Sequence, residues 1–375
     1  MKFISTQSNL AKGVSIAEKV IGKNFNLPIL QNIKIKCEDA KSSIKLLATD
    51  LDIGIEVEIP GRIEKSGSIT VPARLFSNFI KALPEENVEV LESNKSIVVA
   101  CGKHKSTIKG ESDADFPILP SIKNGLVIEL KTSDFILGIN SVIYCVSNLD
   151  IKPEISGVLV QFIGSDLCFT ATDSFRLSEK RIDKSLKNSV NHKIILPKKT
   201  CDLICRVFNN NEELVFNIGE GQICIKNKTK NQNYPKITMI SRVIDGDYPD
   251  YEQIIPKNFS IAFEISKEEL VNHIRTAGLF SSKINEIALN ILPSKQNIEI
   301  LSKDYDYGDH YSLIPCVING SEDLKISFNY NYLLDGLQII DCPSVNIKLN
   351  KDSTPILVSS GESDGFRYIV MPIRS

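Results

Sequence analysis

Three stretches of this sequence follow one pattern: IKLLATDLDIGIEVEI (44–59), LCFTATDSFRLSEKRI (167–182) and IEILSKDYDYGDHYSLI (298–314). Each reads as two strands that flank a short acidic turn. The central aspartates of the turns are Asp50, Asp173 and Asp304, and the intervals between them are 123 and 131 residues. This spacing indicates that one structural unit is repeated three times.

Two further features recur in the same order. An extended segment leads into an amphipathic helix that opens near a Ser or Thr, and Ser266 with Glu269 has the spacing of a capping box. A strand, a short helix and another strand follow later, with Val71, Leu196 and Phe328 in equivalent positions. The amphipathic helices are predicted at 8–22, 132–146 and 266–280, and the strand–helix–strand segments at 68–92, 193–218 and 325–350.

Short alternating runs between the helices indicate antiparallel strands with one face of the sheet covered by helices. The sequence therefore predicts an α+β fold made of three tandem copies of one domain, each with two helices packed on antiparallel sheet. Turns rich in Pro and Asp at 113–125 and 245–258 mark the boundaries. We expect an N-terminal domain at 1–122, a central domain at 123–255 and a C-terminal domain at 256–375.

The composition excludes several classes of protein. The 375 residues are 42% hydrophobic and 24% charged, which argues against a disordered or fibrous chain. The sequence predicts no transmembrane helix and no signal peptide, so we expect a cytoplasmic protein that does not bind membranes. A net charge of −2 argues against a protein coated all over in positive charge. Nine cysteines, an odd number, indicate reduced thiols rather than a disulfide framework.

No set of residues typical of catalysis is evident. The four histidines lie in separate segments, and the sequence has no nucleophile elbow, P-loop or dinucleotide fingerprint. Aspartates at tight turns usually bond to nearby backbone. We therefore expect no catalytic residues, no metal and no cofactor. Two alternatives stay open: a metal-dependent enzyme acting on nucleic acid through Asp50 and Asp173, and a structural repeat protein that does not bind DNA.

Positive residues recur on the predicted helices, opposite the apolar faces. They lie seven apart in several copies, as at Arg74 and Lys81 or at Lys199 and Arg206. Any one of these faces could simply be solvated, but their recurrence favours contact with phosphates. Such contact is independent of base sequence and sensitive to salt. No aromatic stacking platform accompanies these residues, which favours duplex over single-stranded DNA.

An ordered set of short motifs carries a family resemblance. The motifs are LPIL (27–30), ATDL (48–51), VPAR (71–74), DFP (115–117), ATDSFRL (171–177), DGDYPDY (245–251), IPKN (255–258), YLLD (332–335) and the terminal MPIR (371–374). With them the whole chain resembles the bacterial DNA polymerase III beta subunit family, the sliding clamps.

The resemblance implies that two subunits close head to tail into a ring of six domains, with helices lining the hole. Such a ring encircles double-stranded DNA without reading its sequence and performs no chemistry. Its implied partners are a second copy of the chain, the clamp loader complex, the DNA polymerase III alpha subunit, and other polymerases and repair proteins that carry clamp-binding peptides.

The resemblance also implies a partner-peptide pocket between the second and third domains. Phe175 stands where the family often has His. The implied pocket residues are Ile155, Thr172, Ser174, Phe175, Arg176, Leu177, Pro249, Ile254, Ile369, Val370, Met371, Pro372, Ile373 and Arg374. In the loop before Leu27, the family's usual DNA-contacting Arg is replaced by Asn24, with Lys23 beside it. The expected DNA-facing residues are Lys12, Lys19, Lys23, Asn24, Arg74, Lys81, Lys198, Lys199, Arg206 and Lys257.

Charge predicts the surfaces that join the two subunits. The outer strands of the first domain are basic and the corresponding strands of the third are acidic, as a head-to-tail interface requires. We expect Leu279 and Phe280 to add an apolar part, with Ile108 opposite. The predicted interface residues are Lys103, Lys105, Ile108, Leu279, Phe280, Glu299 and Asp304.

Overall fold

A computed structural model describes residues 1–22, 27–38, 43–147, 152–208, 212–228, 235–361 and 364–373. Within these ranges no helix is both long enough and apolar enough to cross a membrane. The α-helices of the described chain are α1 Gln7–Glu18, α2 Ala73–Ala82, α3 Thr132–Val142, α4 Lys198–Val207, α5 Lys267–Gly278 and α6 Tyr330–Ile339.

Strands make up most of the remaining structure. The first thirteen are β1 Lys2–Thr6, β2 Asn32–Glu38, β3 Ser43–Thr49, β4 Ile53–Pro60, β5 Arg62–Lys65, β6 Gly67–Pro72, β7 Asn87–Ser93, β8 Ser96–Cys101, β9 His104–Lys109, β10 Leu126–Lys131, β11 Gly157–Gly164, β12 Asp166–Thr172 and β13 Arg176–Ile182. The others are β14 Val190–Pro197, β15 Glu213–Gly219, β16 Gln222–Lys228, β17 Lys236–Arg242, β18 Ile261–Ser266, β19 Glu286–Leu292, β20 Asn297–Asp304, β21 Gly308–Pro315, β22 Ile318–Asn319, β23 Leu324–Asn329, β24 Ser344–Leu349, β25 Ile356–Ser359 and β26 Phe366–Val370.

The chain forms two compact units. The first comprises Met1–Ile136 and Lys199–Val243, and the second Leu137–Lys198 and Ile244–Ser375. In the first unit the strand orders are β5-β1-β7-β8-β9 and β10-β15-β16-β17-β4-β3-β2-β6. In the second unit they are β14-β11-β12-β13-β26-β25-β24-β18-β22 and β21-β20-β19-β23.

Each large sheet combines strands from two sequence copies. In the first unit, β17 ends the second copy and pairs antiparallel with β4, the strand after the acidic turn of the first copy. In the second unit, β26 ends the third copy and pairs antiparallel with β13, the strand after the acidic turn of the second copy. The two junctions are therefore equivalent. The middle copy shares a sheet with each of its neighbours and is divided between the two units. The chain therefore has two compact units although the sequence has three copies.

The acidic turns are held by their own aspartates. One carboxylate oxygen of each accepts hydrogen bonds from the backbone N–H groups two and three residues later. The distances are 3.1 and 2.8 Å at Asp50, 3.0 and 3.0 Å at Asp173, and 2.8 and 3.2 Å at Asp304. In the described residues no cluster of three or more His, Cys, Asp or Glu side chains could hold a metal ion. The hydrogen bonds of the turn aspartates to their own backbone are those that aspartates at tight turns usually make.

The first helix of a copy begins at a hydroxyl cap in two of the three copies. The Thr6 hydroxyl accepts from the Asn9 N–H at 3.3 Å, and the Ser266 hydroxyl accepts from the Glu269 N–H at 3.4 Å. These caps satisfy backbone N–H groups that have no partner inside the helix. The helix starts agree with the sequence analysis, whereas α1 ends at Glu18, four residues before the predicted end.

Close packing of helix on sheet depends on glycine. A Cβ atom added to Gly336 of α6 would lie 2.2 Å from the ring of Tyr368 on β26, and one added to Gly138 of α3 would lie 2.2 Å from the ring of Phe169 on β12. Both rings are fully buried. Only a residue without Cβ allows these helices to approach the sheet so closely.

We expect Gly336→Ala to lower the free energy of unfolding by about 1–3 kcal/mol, because the buried Tyr368 ring has no room to move away. Urea unfolding followed by circular dichroism measures the change. Gln338→Ala, at an exposed position of the same helix, is the matched control and should change stability by less than about 0.5 kcal/mol. Equal stability of the two variants would contradict the packing described here.

Candidate functional site

The turn between β12 and β13 presents Phe175 and Arg176. The Thr172 hydroxyl donates to the Arg176 carbonyl at 2.7 Å and accepts from the Ser174 N–H at 3.2 Å. Ser174 has a φ of +77°, a left-handed conformation that a non-glycine residue keeps only when its surroundings hold it. The loop is therefore well fixed, and it leaves the Phe175 side chain 57% exposed.

Arg176 is anchored on several sides. Its Nε donates to Asp173 Oδ2 at 2.9 Å, its Nη1 to Asp335 Oδ2, and its Nη2 to the Tyr144 carbonyl at 2.9 Å. The guanidinium lies 4.5 Å from the centre of the Tyr332 ring. Burial lowers the pKa of Arg176, but the bonds to Asp335 and Asp173 raise it above its usual value. Arg176 is therefore a fixed cation that braces the loop.

A buried apolar cluster lies beside this loop in the second unit. The Tyr248 and Tyr251 rings meet edge to face, with centroids 6.5 Å apart. Phe175 stacks on Tyr332 with a centroid distance of 6.4 Å, and Ile254 is exposed. The exposed apolar surface here is that of Phe175 and Ile254, and such surface next to a few fixed polar groups suits the capture of short apolar side chains. The cluster consists of Ile155, Leu159, Leu177, Ile195, Tyr248, Tyr251 and Ile369, with Ile244, Ile255 and Leu357 packed against it.

A buried polar network positions Tyr251. Its hydroxyl donates to Glu179 Oε2 at 2.7 Å and accepts from the Thr170 hydroxyl at 3.1 Å. Glu179 is only 3% exposed, and its other oxygen accepts from Arg367 Nε at 2.8 Å. Burial and the nearby Glu179 carboxylate raise the pKa of Tyr251. The hydroxyl therefore stays protonated and fixes the ring over the cluster.

The end of the described chain is tied to the same loop. The Met371 N–H donates to the Phe175 carbonyl at 2.8 Å, and the Ile373 N–H donates to the Ser327 carbonyl at 2.8 Å. The first bond holds Met371 next to Phe175, and the second ties Ile373 to β23. Val370 is fully buried but alternates with Ile369 along β26, so its side chain faces the opposite side of the sheet from the cluster.

In the first unit a group of positive side chains lies on and beside α1, α2 and α4. Lys19 Nζ donates to the carbonyl of Arg206, and a groove of about 440 Å³ lies along Lys12, Lys19 and Arg206. Burial, together with the positive charges of Arg206 and Lys81, lowers the pKa of Lys19. Like charges held this close repel each other, and an anion placed among them would relieve the repulsion.

Some of the expected DNA-facing residues already have a protein partner. Lys81 Nζ lies 3.3 Å from Glu18, and Lys199 pairs with Asp50 of the first acidic turn. Arg74 is exposed on α2, Lys198 is half-buried at the start of α4, and Lys257 is exposed in the second unit. Lys23 and Asn24, and Arg374 of the expected pocket, lie outside the described residues.

Two strands lie at the edges of their sheets. β9 is an outer strand of the five-stranded sheet, and β21 is an outer strand of the four-stranded sheet. Lys103 and Lys105 are exposed at β9, while Phe280 stacks on His310 of β21 with centroids 5.9 Å apart. Leu279 beside it is 74% exposed.

Ile108 does not fit the interface predicted from the sequence. Its side chain is 4% exposed, because alternation along β9 turns it into the core of the first unit. The prediction that Ile108 supplies apolar surface opposite Leu279 is therefore wrong. Glu299 is half-buried and accepts from Asn290 Nδ2 at 2.9 Å, and Asp304 caps its own turn.

Comparison with known families identifies the chain's relatives. Family models for the DNA polymerase III beta subunit match its N-terminal domain at residues 1–120, its central domain at 129–250 and its C-terminal domain at 252–374. The chain belongs to the DNA polymerase III beta subunit family. The function of this family is that of a DNA sliding clamp, and this chain shares it.

Relatives cover the chain from end to end. The beta sliding clamp of Bacillus subtilis is 27% identical over all of both chains, and that of Synechococcus elongatus is 26% identical over all of this chain and 99% of its own. A crystal structure of the B. subtilis DNA polymerase sliding clamp has a TM-score of 0.91 at 27% identity, with 100% of this chain and 99% of that chain covered. A sliding clamp from Pseudomonas aeruginosa bound to griselimycin has a TM-score of 0.90 at 24% identity and full coverage of both chains.

The family assignment and the fold predicted from the repeats are thus confirmed: three beta-subunit domains built from helices and antiparallel sheets. Of the implied pocket residues, the structure brings together Ile155, Leu177 and Ile369 in one cluster. It places the loop from Thr172 to Arg176 and the segment from Met371 to Ile373 beside each other, whereas Pro249 and Ile254 are exposed.

Sequence reasoning missed several residues that support the site. Tyr332 and Asp335 hold Phe175 and Arg176, and both belong to the YLLD motif, which is 156 or more residues away in sequence. Tyr248 and Tyr251 belong to the DGDYPDY motif. The motifs were visible in the sequence, but the contacts between them join segments far apart in the chain, among them the paired strands β13 and β26.

We expect Tyr251→Phe to lower the free energy of unfolding by about 1–2 kcal/mol, because Glu179 then loses a buried hydrogen-bond donor while the aromatic packing stays. Chemical denaturation measures the loss. Tyr305→Phe, at a fully exposed tyrosine, is the matched control and should be neutral. If both variants unfolded alike, the network would have no role in stability.

Proposed function

We propose that two copies of this chain close into a head-to-tail ring that encircles duplex DNA and tethers partner proteins through the cluster beside Phe175. The observation that carries the proposal is the repeated strand junction. Within one chain, the last strand of a copy pairs with the post-turn strand of the preceding copy, at β17–β4 and at β26–β13. The remaining members of this series are β9, which ends the first copy, and β21, which follows the turn of the third.

Pairing of β9 with β21 of a second chain would repeat the same junction. Each last strand of a sequence copy would then pair with a strand that follows an acidic turn. The charges support it, since Lys103 and Lys105 at β9 would meet a strand pair that carries Glu299 and Asp309. An unpaired edge is a ready template for another strand. Two such junctions per dimer close a ring of six domains, for which we propose the boundaries 1–122, 123–255 and 256–375.

The basic group of the first unit supports non-specific contact with DNA. Lys12, Lys19, Arg74, Lys81 and Arg206 are exposed on neighbouring helices or at their ends. Such residues bind phosphates without distinguishing bases, and the affinity falls with salt. In a closed ring, topology rather than affinity keeps the protein on DNA, so weak contacts are sufficient and allow sliding.

The cluster beside Phe175 supports capture of short peptides. The partners that we propose for it are the DNA polymerase III alpha subunit, the clamp loader complex, and other polymerases and repair proteins with clamp-binding peptides. We propose a cytoplasmic role without catalysis. The carboxylates of the acidic turns, which a metal-dependent enzyme would need, already accept bonds from their own backbone.

The ring predicts how the protein behaves on circular DNA. After loading onto nicked plasmid with the clamp loader and ATP, it should co-elute with the circle in gel filtration at moderate salt. It should be lost once the plasmid is linearised, because a ring slides off free ends. Equal retention on both forms would mean ordinary electrostatic binding, and no retention on the circle would favour a scaffold without DNA.

The pocket predicts binding of griselimycin, the ligand of the P. aeruginosa clamp. We expect Phe175→Ala to weaken the binding about tenfold in isothermal titration calorimetry, because an exposed aromatic wall of the pocket is lost. Val317→Ala, at another exposed apolar residue of the second unit, should bind like the parent protein. No binding by the parent protein, or an unchanged Phe175→Ala variant, would count against the pocket.

The junction predicts that Lys103→Glu combined with Lys105→Glu shifts the dimer toward monomer, since like charges would then face the acidic edge. Sedimentation velocity over a dilution series measures the shift. The matched control is Lys65→Glu on β5, at the other edge of the same sheet, where no partner strand is proposed. An unchanged dimer in the double variant would show that this edge is not the interface.

A further inference from the structure

A polar groove of about 500 Å³ lies on the nine-stranded sheet next to the apolar cluster. Leu357 lines the groove and also packs against the cluster, so the groove borders the cluster at this side chain. The side chains that the argument uses are Glu179, Arg181, Asn346, Lys348, Leu357 and Arg367.

Strand register gives the distance between the cluster and the groove. Leu177, Ile369 and Leu357 pair across β13, β26 and β25, and Lys348 of β24 pairs with Leu357 at the end of this row. The next row on the same face begins two residues further along, with Glu179 paired to Arg367. Two residues of a strand span about 7 Å, so an extended peptide anchored in the cluster reaches the groove with two to four more residues.

Among the described residues, every charged side chain that lines the groove except Lys348 has an ion-pair partner. The Glu179 carboxylate accepts from Arg367 and Tyr251, so its negative charge is already compensated. Arg181 pairs with Asp166 at 2.7 Å. Lys348 is half-buried and makes no ion pair with any described residue. The Lys348 ammonium group therefore has no counter-ion within the part of the chain that the structure describes.

We propose that this groove extends the partner-binding site and binds an acidic side chain that lies next to the apolar anchor of a partner peptide, with Lys348 as its main contact. The proposal rests on the peptide-binding function proposed above. It is supported by Leu357, at which the groove borders the cluster, and by charge complementarity. The groove would thus select partners by the residues that flank their apolar anchor.

Three fluorescein-labelled peptides with the same Leu-Phe anchor test this proposal. One carries two Glu residues before the anchor, one carries two Glu residues after it, and the third has Gln at all four positions. We expect at least one of the two Glu-containing peptides to bind the parent protein about three- to fivefold more tightly than the Gln peptide. Fluorescence anisotropy at low salt measures the affinities. The gain should shrink as salt is raised.

Lys348→Gln should abolish this gain and leave the affinity for the Gln peptide unchanged. Lys325→Gln, at an exposed lysine on the four-stranded sheet, is the matched control and should keep the gain. The extension is overturned if neither acidic peptide binds more tightly than the Gln peptide, or if the gain persists in Lys348→Gln. If griselimycin and all three peptides fail to bind, the pocket itself is overturned, and the extension with it.

Discussion

Backbone pairing between sequence copies is the constraint on which the rest of the structure depends. The junctions β17–β4 and β26–β13 join strands of neighbouring copies into the eight-stranded and the nine-stranded sheet. The second junction also creates the site, because it sets Leu177 opposite Ile369 and brings Met371 to the Phe175 carbonyl. Without it, the ATDSFRL turn and the end of the chain would be unrelated surface segments. The candidate site therefore draws its residues from two copies, and no single copy contains it.

Interactions between residues close together in the sequence were enough to predict part of the fold. The acidic turns were recognisable because an aspartate that caps a hairpin needs a fixed spacing to the N–H groups it binds. The helix start at Ser266 was recognisable because a hydroxyl cap is local, and α1 begins one residue before its predicted start. The spacing of these elements predicted three copies, and the ordered motifs predicted the family. The pocket residues that the family resemblance implies stay a prediction.

What the sequence left open depends on contacts between distant segments. The ion pair between Arg176 and Asp335 and the network of Tyr251, Glu179 and Arg367 each join residues far apart in the chain. Ile108 and Val370 were assigned to surfaces that their side chains do not face, because one step along a strand reverses the direction of a side chain. Motif matching carries no information on that direction.

The shared sheets also affect how the protein tolerates being cut. A fragment that ends where one sequence copy ends would expose β4 or β17 in the first unit, and β13 or β26 in the second, along their whole length. Strand edges without a partner are templates for non-specific pairing with strands of other chains. Fragments produced by proteolysis between copies should therefore fold poorly and aggregate, and should not behave as three domains that fold independently.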